Sequence, residues 1–262
     1  MNVGFIGAGN MGGALARAIS ANLEIKVYIY DKIEEKSANL AREINAEHCA
    51  LDTLLSLSDF IFLGVKPNVI AEVCQDIGGK VKPSAVLISM AAGVKISKIE
   101  EALGSELSVI RIMPNTPTAV REGLTAYSKG SRVTESDEKA FLEIMAYTGT
   151  AVCLDEKDID SFCAVAGCGP AYAYMFIDAL ASGAQECGIP KDKAIYSAAK
   201  MIRGAALMVL NSEDDPTVLA KNVCSPGGAT IEGVKVLDSA GFGKNVKDAI
   251  KAAYKRTLEL GK

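Results

Sequence analysis

The sequence predicts an α/β protein in two parts: a doubly wound parallel sheet over residues 1–150 and an all-helical domain over residues 151–262. Three observations carry this. From Met1 to about Thr150, short β-rich runs alternate with longer charged or amphipathic ones, as expected for parallel strands joined by helical crossovers. After about Val152 the β-rich runs stop and alanine-rich segments take over. The 262 residues are also long for one domain, since domains usually hold about 100–150; two modest cores are expected.

In chain order, the first part offers the strand-like run "VGFIG", a helix from Met11 to Ala21, "KVYIYD", a helix from Glu35 to Ile44 and "FIFLGV". The runs "AVLISMAAG", "VIRIMPN" and "GLTAYS" follow. The second part is expected to form helices over Pro170–Cys187, Lys191–Leu210, Val218–Asn222, Thr230–Ser239 and Gly243–Leu260. Pro170 and Pro226 are placed at first helical positions, where the missing N–H has no intrahelical partner to lose. Gly188 and Pro190 punctuate the end of the first of these helices.

Composition excludes several classes. A net charge of −4 and a pI near 5.3 provide no basic footprint for nucleic acid. Val165 to Pro190 is apolar enough to suggest a membrane span, but Gly167-Cys168-Gly169-Pro170 and Asp178 interrupt it, and a span needs about 20 predominantly apolar residues. Ala171, Ala173, Ala179 and Ala181 instead predict a helix buried at a subunit interface. No membrane association is expected. The chain opens without a signal-peptide pattern, so the expected location is cytoplasmic. Seven cysteines without a CxxC pair suit reduced thiols. No metal is expected, because His48 is the only histidine and has just Cys49 beside it.

Four stretches carry candidate chemistry. Gly7-Ala8-Gly9-Asn10-Met11-Gly12 is a GxGxxG between a strand and a helix, with Asp31 ending the next strand. This is the Rossmann-like context for dinucleotide binding: glycines admit the pyrophosphate and the helix N-terminus offers unpaired N–H groups. Ile6 to Met11 are therefore candidate cofactor contacts. Asp31 suits a free ribose 2′-OH and repels a 2′-phosphate, favouring NADH, although Lys32 partly offsets this; otherwise Asp31 is a solvated strand end. "GVKP", with Lys66 near a cofactor or simply in solvent, and "SMAAGV" stand at strand ends, where open α/β sheets bind ligands. "RIMPNTP" is either a stiff loop presenting polar side chains or a rigid linker. In "CSPGGATIEG", Ser225 to Thr230 form either a nest for a carboxylate with the Thr230 hydroxyl beside it, or a helix start capped by Thr230.

Taken in order, "GFIGAGNMG", "VKP", "AAGV", "MPNTP", "GxGPAY" and "SPGGATIEG" resemble the pyrroline-5-carboxylate reductase family along essentially the whole chain. The resemblance implies a Rossmann-like domain followed by a helical dimerisation domain, with homodimers often assembled into larger rings. It implies that Gly7, Gly9, Asn10 and Met11 line the pyrophosphate, Val65, Lys66 and Pro67 the ribose side, and Ala91, Ala92, Gly93 and Asn115 the nicotinamide. Gly228, Ala229 and Thr230, with Ser225 in the same loop, would hold the substrate carboxylate, and Thr230 would reach the ring nitrogen as the catalytic group. Glu156 falls at a further substrate-side position and Asn222 at a cofactor-side one. The implied substrate is 1-pyrroline-5-carboxylate and the product L-proline, the last step of proline synthesis.

The chain departs from the family pattern twice. Cys168 stands where the family commonly has serine, and Asp31 where many members have residues suited to a 2′-phosphate. The family's usual donor, NADPH, therefore conflicts with the NADH that Asp31 suggests. Reducing a protonated imine leaves no demanding proton transfer, consistent with a site that has no catalytic histidine. Two alternatives stay open. A β-hydroxyacid dehydrogenase shares the opening motif but requires a catalytic lysine early in its second domain, where Gly167 to Leu180 has none and Lys200 comes a helix later. A non-catalytic dinucleotide-binding regulator would have no use for the Gly-Gly-Ala-Thr nest.

Overall fold

The computed structural model describes residues 1–104 and 106–260. It divides into two compact units, one comprising Met1–Pro170 with the chain from Ala252 onward, the other Ala171–Lys251.

The first unit is an eight-stranded sheet: β1 (Asn2–Ile6), β2 (Lys26–Tyr30), β3 (Glu47–His48), β4 (Phe60–Leu63), β5 (Val86–Ser89), β6 (Ser108–Met113), β7 (Gly123–Lys129) and β8 (Gly149–Cys153). The strand order is β3-β2-β1-β4-β5-β6-β7-β8. The doubly wound expectation holds. One pair departs from the parallel pattern: β7 runs antiparallel to β6. The connection between them is a short turn through Thr116–Val120, whereas a parallel crossover needs a dozen or more residues. From β7 to β8 a helix over Glu135–Met145 supplies that length, and the pairing is parallel again.

Helices α1 (Asn10–Ile19), α2 (Glu34–Ile44), α3 (Leu51–Leu57), α4 (Ile70–Ile77), α5 (Ile96–Leu103) and α6 (Glu135–Met145) connect the strands. β4 and β5 are buried at every position, as strands covered on both faces are. Successive side chains feed opposite layers. Phe5 and Phe62 belong to one cluster with Leu15, Ile19 and Leu40, and their rings stack with centroids 4.8 Å apart. Ile6, Ile61 and Leu63 belong to the other, with Leu54, Ile70 and Ile99. Fully burying each such side chain stabilises the fold by about 1.5–3 kcal/mol.

The helix α7 (Glu156–Phe162) passes through a single π turn, Cys163–Gly167, into α8 (Gly169–Glu186). Then come α9 (Lys191–Leu210), α10 (Pro216–Val223), α11 (Ala229–Ser239) and α12 (Phe242–Leu260). The helical texture of this half matches the sequence reading, with three corrections. Pro170 stands second in α8, in the first turn as expected, but the π turn joins α7 to α8 into a helical run from Glu156 to Glu186. That run of 31 residues is long and apolar enough to cross a membrane by length and composition alone, so the interruptions do not shorten it. Pro226 sits in a turn ahead of α11, and Thr230 lies inside that helix rather than capping it.

A second core is also absent: among the described residues, the hydrophobic clusters all lie in the first unit. The second unit instead exposes large apolar side chains, including Met175 (71%), Tyr196 (67%) and Leu210 (78%). Exposed apolar surface of this kind marks a site of contact with a protein, a membrane or a ligand.

Candidate active site

The glycine loop follows β1 and opens α1. Gly7 has a φ of +106°, a conformation side-chain-bearing residues rarely adopt. Its N–H donates to the Tyr30 carbonyl at 2.8 Å, joining the loop to the end of β2. A Cβ on Gly12 would lie 2.5 Å from the Gly7 carbonyl oxygen, so that position must stay bare for α1 to pack on the loop. Gly9, by contrast, has no neighbour within 4 Å of where a Cβ would be. It caps α1 without any side-chain hydrogen bond, leaving the N–H groups of the first turn aimed at an open face. These groups and the helix dipole fit a pyrophosphate. Asn10 is exposed and Met11 half-buried beside it.

Asp31 does more than end β2. One carboxylate oxygen accepts the Ala8 N–H and the other the Ile33 N–H, each at 2.8 Å. The side chain therefore braces the glycine loop while retaining acceptor capacity, since an ionised carboxylate has about four lone-pair positions. It also faces a cavity of about 320 Å³ that brings Ile6, Gly7, Asp31 and Val65 together. Lys32, Glu72 and Asp76 share this cavity. The last two are on α4, some forty positions along the chain, and sequence reading missed them.

Other predicted positions are divided. Lys66 is exposed, and Pro67 lines a separate, mostly apolar cavity of about 340 Å³ with Ile70, Cys74 and Val94. Ala91, Ala92 and Gly93 form the turn after β5, with Gly93 at φ +76° and the Val94 N–H donating to the Ala91 carbonyl at 3.3 Å. Asn115 is only 8% exposed. Its amide nitrogen donates to the Ala166 carbonyl at 3.0 Å, and its oxygen accepts the Leu124 N–H at 2.9 Å. Its side chain thus ties the π turn to the loop after β6.

Glu156 also has internal partners. It accepts the Ile96 N–H at 2.6 Å and lies 3.4 Å from the Arg111 guanidinium. Arg111, buried within β6, pairs further with Asp160. An arginine in an otherwise apolar strand run was the available signal for this cluster.

In the second unit, the Gly228 N–H donates to the Ser225 carbonyl at 3.0 Å. Pro226 and Gly227, the latter at φ +73°, fill the centre of this turn as a type II geometry requires. Gly228 then caps α11 without a side-chain hydrogen bond. Ala229 and Thr230 occupy its first turn, and both are exposed. The arrangement leaves N–H groups for an anion next to a hydroxyl. Asn222 lies exposed near the end of α10.

Fold and loop define a dinucleotide-binding α/β protein with an appended helical unit. Residues 2–93 match the family described as NADP oxidoreductase coenzyme F420-dependent, and residues 156–260 match pyrroline-5-carboxylate reductase dimerisation. The chain is 38% identical to pyrroline-5-carboxylate reductase 2 of Rattus norvegicus over 99% of its own length and 84% of the relative's. It is 36% identical to pyrroline-5-carboxylate reductase of Escherichia coli strain K12, over 99% and 98% respectively. The crystal structure of Plasmodium falciparum pyrroline carboxylate reductase with NADP bound superposes with a TM-score of 0.91 at 31% identity, covering 100% of this chain and 98% of that one. This chain belongs to the pyrroline-5-carboxylate reductase family.

Proposed function

We propose that the protein reduces 1-pyrroline-5-carboxylate to L-proline with NAD(P)H, the last step of proline synthesis. The observation that carries this beyond family membership is the start of α11: uncapped N–H groups suited to a carboxylate, with the Thr230 hydroxyl in the same turn. Bound nicotinamide would supply the hydride that adds to the C=N carbon. Gly228, Ala229 and Thr230 hold the substrate carboxylate, Ser225 shapes the turn, and the Thr230 hydroxyl hydrogen-bonds the ring nitrogen as the C=N π electrons move onto it. Gly7, Gly9, Asn10 and Met11 hold the pyrophosphate. Val65, Lys66 and Pro67 flank the ribose side, while Ala91, Ala92, Gly93, Asn115 and Asn222 serve the nicotinamide side. Glu156 acts on the substrate side by anchoring the start of α5 through the Ile96 N–H.

The preferred donor is NADH. Asp31, Glu72 and Asp76 face the adenosine-side cavity against the single cation Lys32, and carboxylates disfavour the added negative charge of a 2′-phosphate. The exposed apolar helices of residues 171–251 pack in a homodimer, and dimers assemble into a ring. The Glu156–Glu186 helix serves that interface rather than a membrane. Seven free cysteines suit a reducing, cytoplasmic setting.

The test is direct: NADH oxidation by the purified protein on adding 1-pyrroline-5-carboxylate, with proline identified as product. Cofactor binding without oxidation would refute the assignment. A kcat/KM ratio favouring NADPH would refute the donor preference alone.

A further inference from the structure

The π turn between α7 and α8 places two cysteines on each other. The Cys168 N–H donates to the Cys163 carbonyl at 2.9 Å, five residues back instead of the α-helical four. The widened turn stacks residue i+5 over residue i. The intervening i+4 position is Gly167, where a Cβ would come within 3.1 Å of Cys163 Sγ; the absent side chain clears the space between the thiols. Cys168 packs against the cluster containing Cys163, Met113 and Ile159, which makes the two thiols neighbours. A disulfide needs the two Cβ atoms ~3.5–4.5 Å apart, an approach that the bare Gly167 position leaves open.

The two thiols differ in environment. Cys163 is buried, with the Thr257 hydroxyl 3.9 Å from its sulfur. Burial, helped by the neighbouring Cys168, pushes its thiol up to about 11. Cys168 is half-buried and is the more accessible of the two.

We propose that Cys163 and Cys168 form a dithiol modification site, oxidised by a hydroperoxide to an intrachain disulfide and restored by a thiol reductant. The Cys168 thiolate attacks a peroxide oxygen, the O–O bond breaks, and water or an alcohol leaves, giving Cys168 sulfenic acid. The Cys163 sulfur then attacks the Cys168 sulfur; the S–S bond forms, the S–OH bond breaks, and the Cys163 proton leaves with the hydroxide as water. Overall the two thiols surrender two electrons and two protons, which reduce one hydroperoxide. The site is independent of the proposed imine reduction, since neither thiol takes part in it.

The experiment treats the full-length protein, carrying Cys187→Ser so that no third thiol shares the proteolytic fragment, with hydrogen peroxide, followed by thiol counting and peptide mass spectrometry. The expected result is loss of two thiols per chain and a fragment spanning both cysteines lighter by two hydrogens, reversed by dithiothreitol. Adding Cys168→Ser should abolish that fragment. Adding Cys163→Ser should leave a Cys168 sulfenic acid that dimedone traps. Oxidation confined to Cys153 or Cys49, or over-oxidation of Cys168 while Cys163 stays free, would overturn the proposal; so would the same two-thiol loss in the Cys168→Ser protein.

Discussion

Arg111→Met isolates the buried ion cluster that joins β6 to α7. The Arg111 side chain is 1% exposed, and its partners Asp160 and Glu156 are 12% and 30% exposed. Removing the guanidinium leaves the Asp160 carboxylate nearly buried and uncompensated, which costs about 3–5 kcal/mol. Glu156 adds little, because it is partly solvated and keeps the Ile96 N–H. In a chain of this size about 1 kcal/mol corresponds to a Tm change of roughly 2–4 °C, so scanning calorimetry should show a fall of about 6–20 °C. Arg111 Nε has no hydrogen-bond partner among the described residues, so even the native cluster is imperfectly satisfied. Arg111→Met combined with Asp160→Leu should therefore regain most of the loss. A single variant within about 2 °C of the parent, or a double variant no better than the single, would refute the reasoning that an unpaired buried charge dominates.

Further outcomes follow from the same geometry. Gly12→Ala should weaken NADH binding at least ten-fold by equilibrium titration, because the new methyl meets the Gly7 carbonyl; unchanged affinity would contradict the role given to this contact. Asp31→Ser should shift the kcat/KM ratio toward NADPH and also loosen the glycine loop, which loses its brace to the Ala8 N–H. A ratio that stays put would remove Asp31 from the ribose. Burial raises the Asp59 carboxyl, but the Lys82 ammonium and the Asn2 N–H outweigh it and hold the group below its usual range. A depressed folded-state value means a stabilising contribution that is present above the unfolded value near 4 and lost as pH falls through the folded one. Asp59→Asn should accordingly lower the urea midpoint at neutral pH and converge with the parent in acid; a constant difference across pH would contradict this.

Local rules made much of this molecule legible. The βαβ alternation reported the doubly wound sheet because parallel strands buried on both faces read as apolar runs. GxGxxG reported the tight strand-to-helix loop because its glycines answer local steric demands at Gly7 and Gly12. β3 was missed because it is two exposed residues long. β8 was missed because it is short, only partly buried and starts with glycine. The π turn has no local sequence rule, since the Asn115 amide that binds its Ala166 carbonyl reaches it from the loop after β6. Glu72 and Asp76 escaped for a similar reason: only the turn into α4 brings them to the cavity of Asp31. Of two expected ligand contacts, Asn115 has both ends of its amide engaged by the chain's own backbone and Glu156 has one carboxylate oxygen so engaged.

The start of α11 carries the central claim, and Thr230 is its most exposed test. Proline formation from 1-pyrroline-5-carboxylate should be measured for Thr230→Ala and Thr230→Ser alongside NADH affinity. The account predicts a kcat for Thr230→Ala reduced by about 10²-fold, the scale on which losing one well-placed transition-state hydrogen bond acts, with NADH binding intact and Thr230→Ser largely restored. Turnover by Thr230→Ala equal to the parent would contradict it.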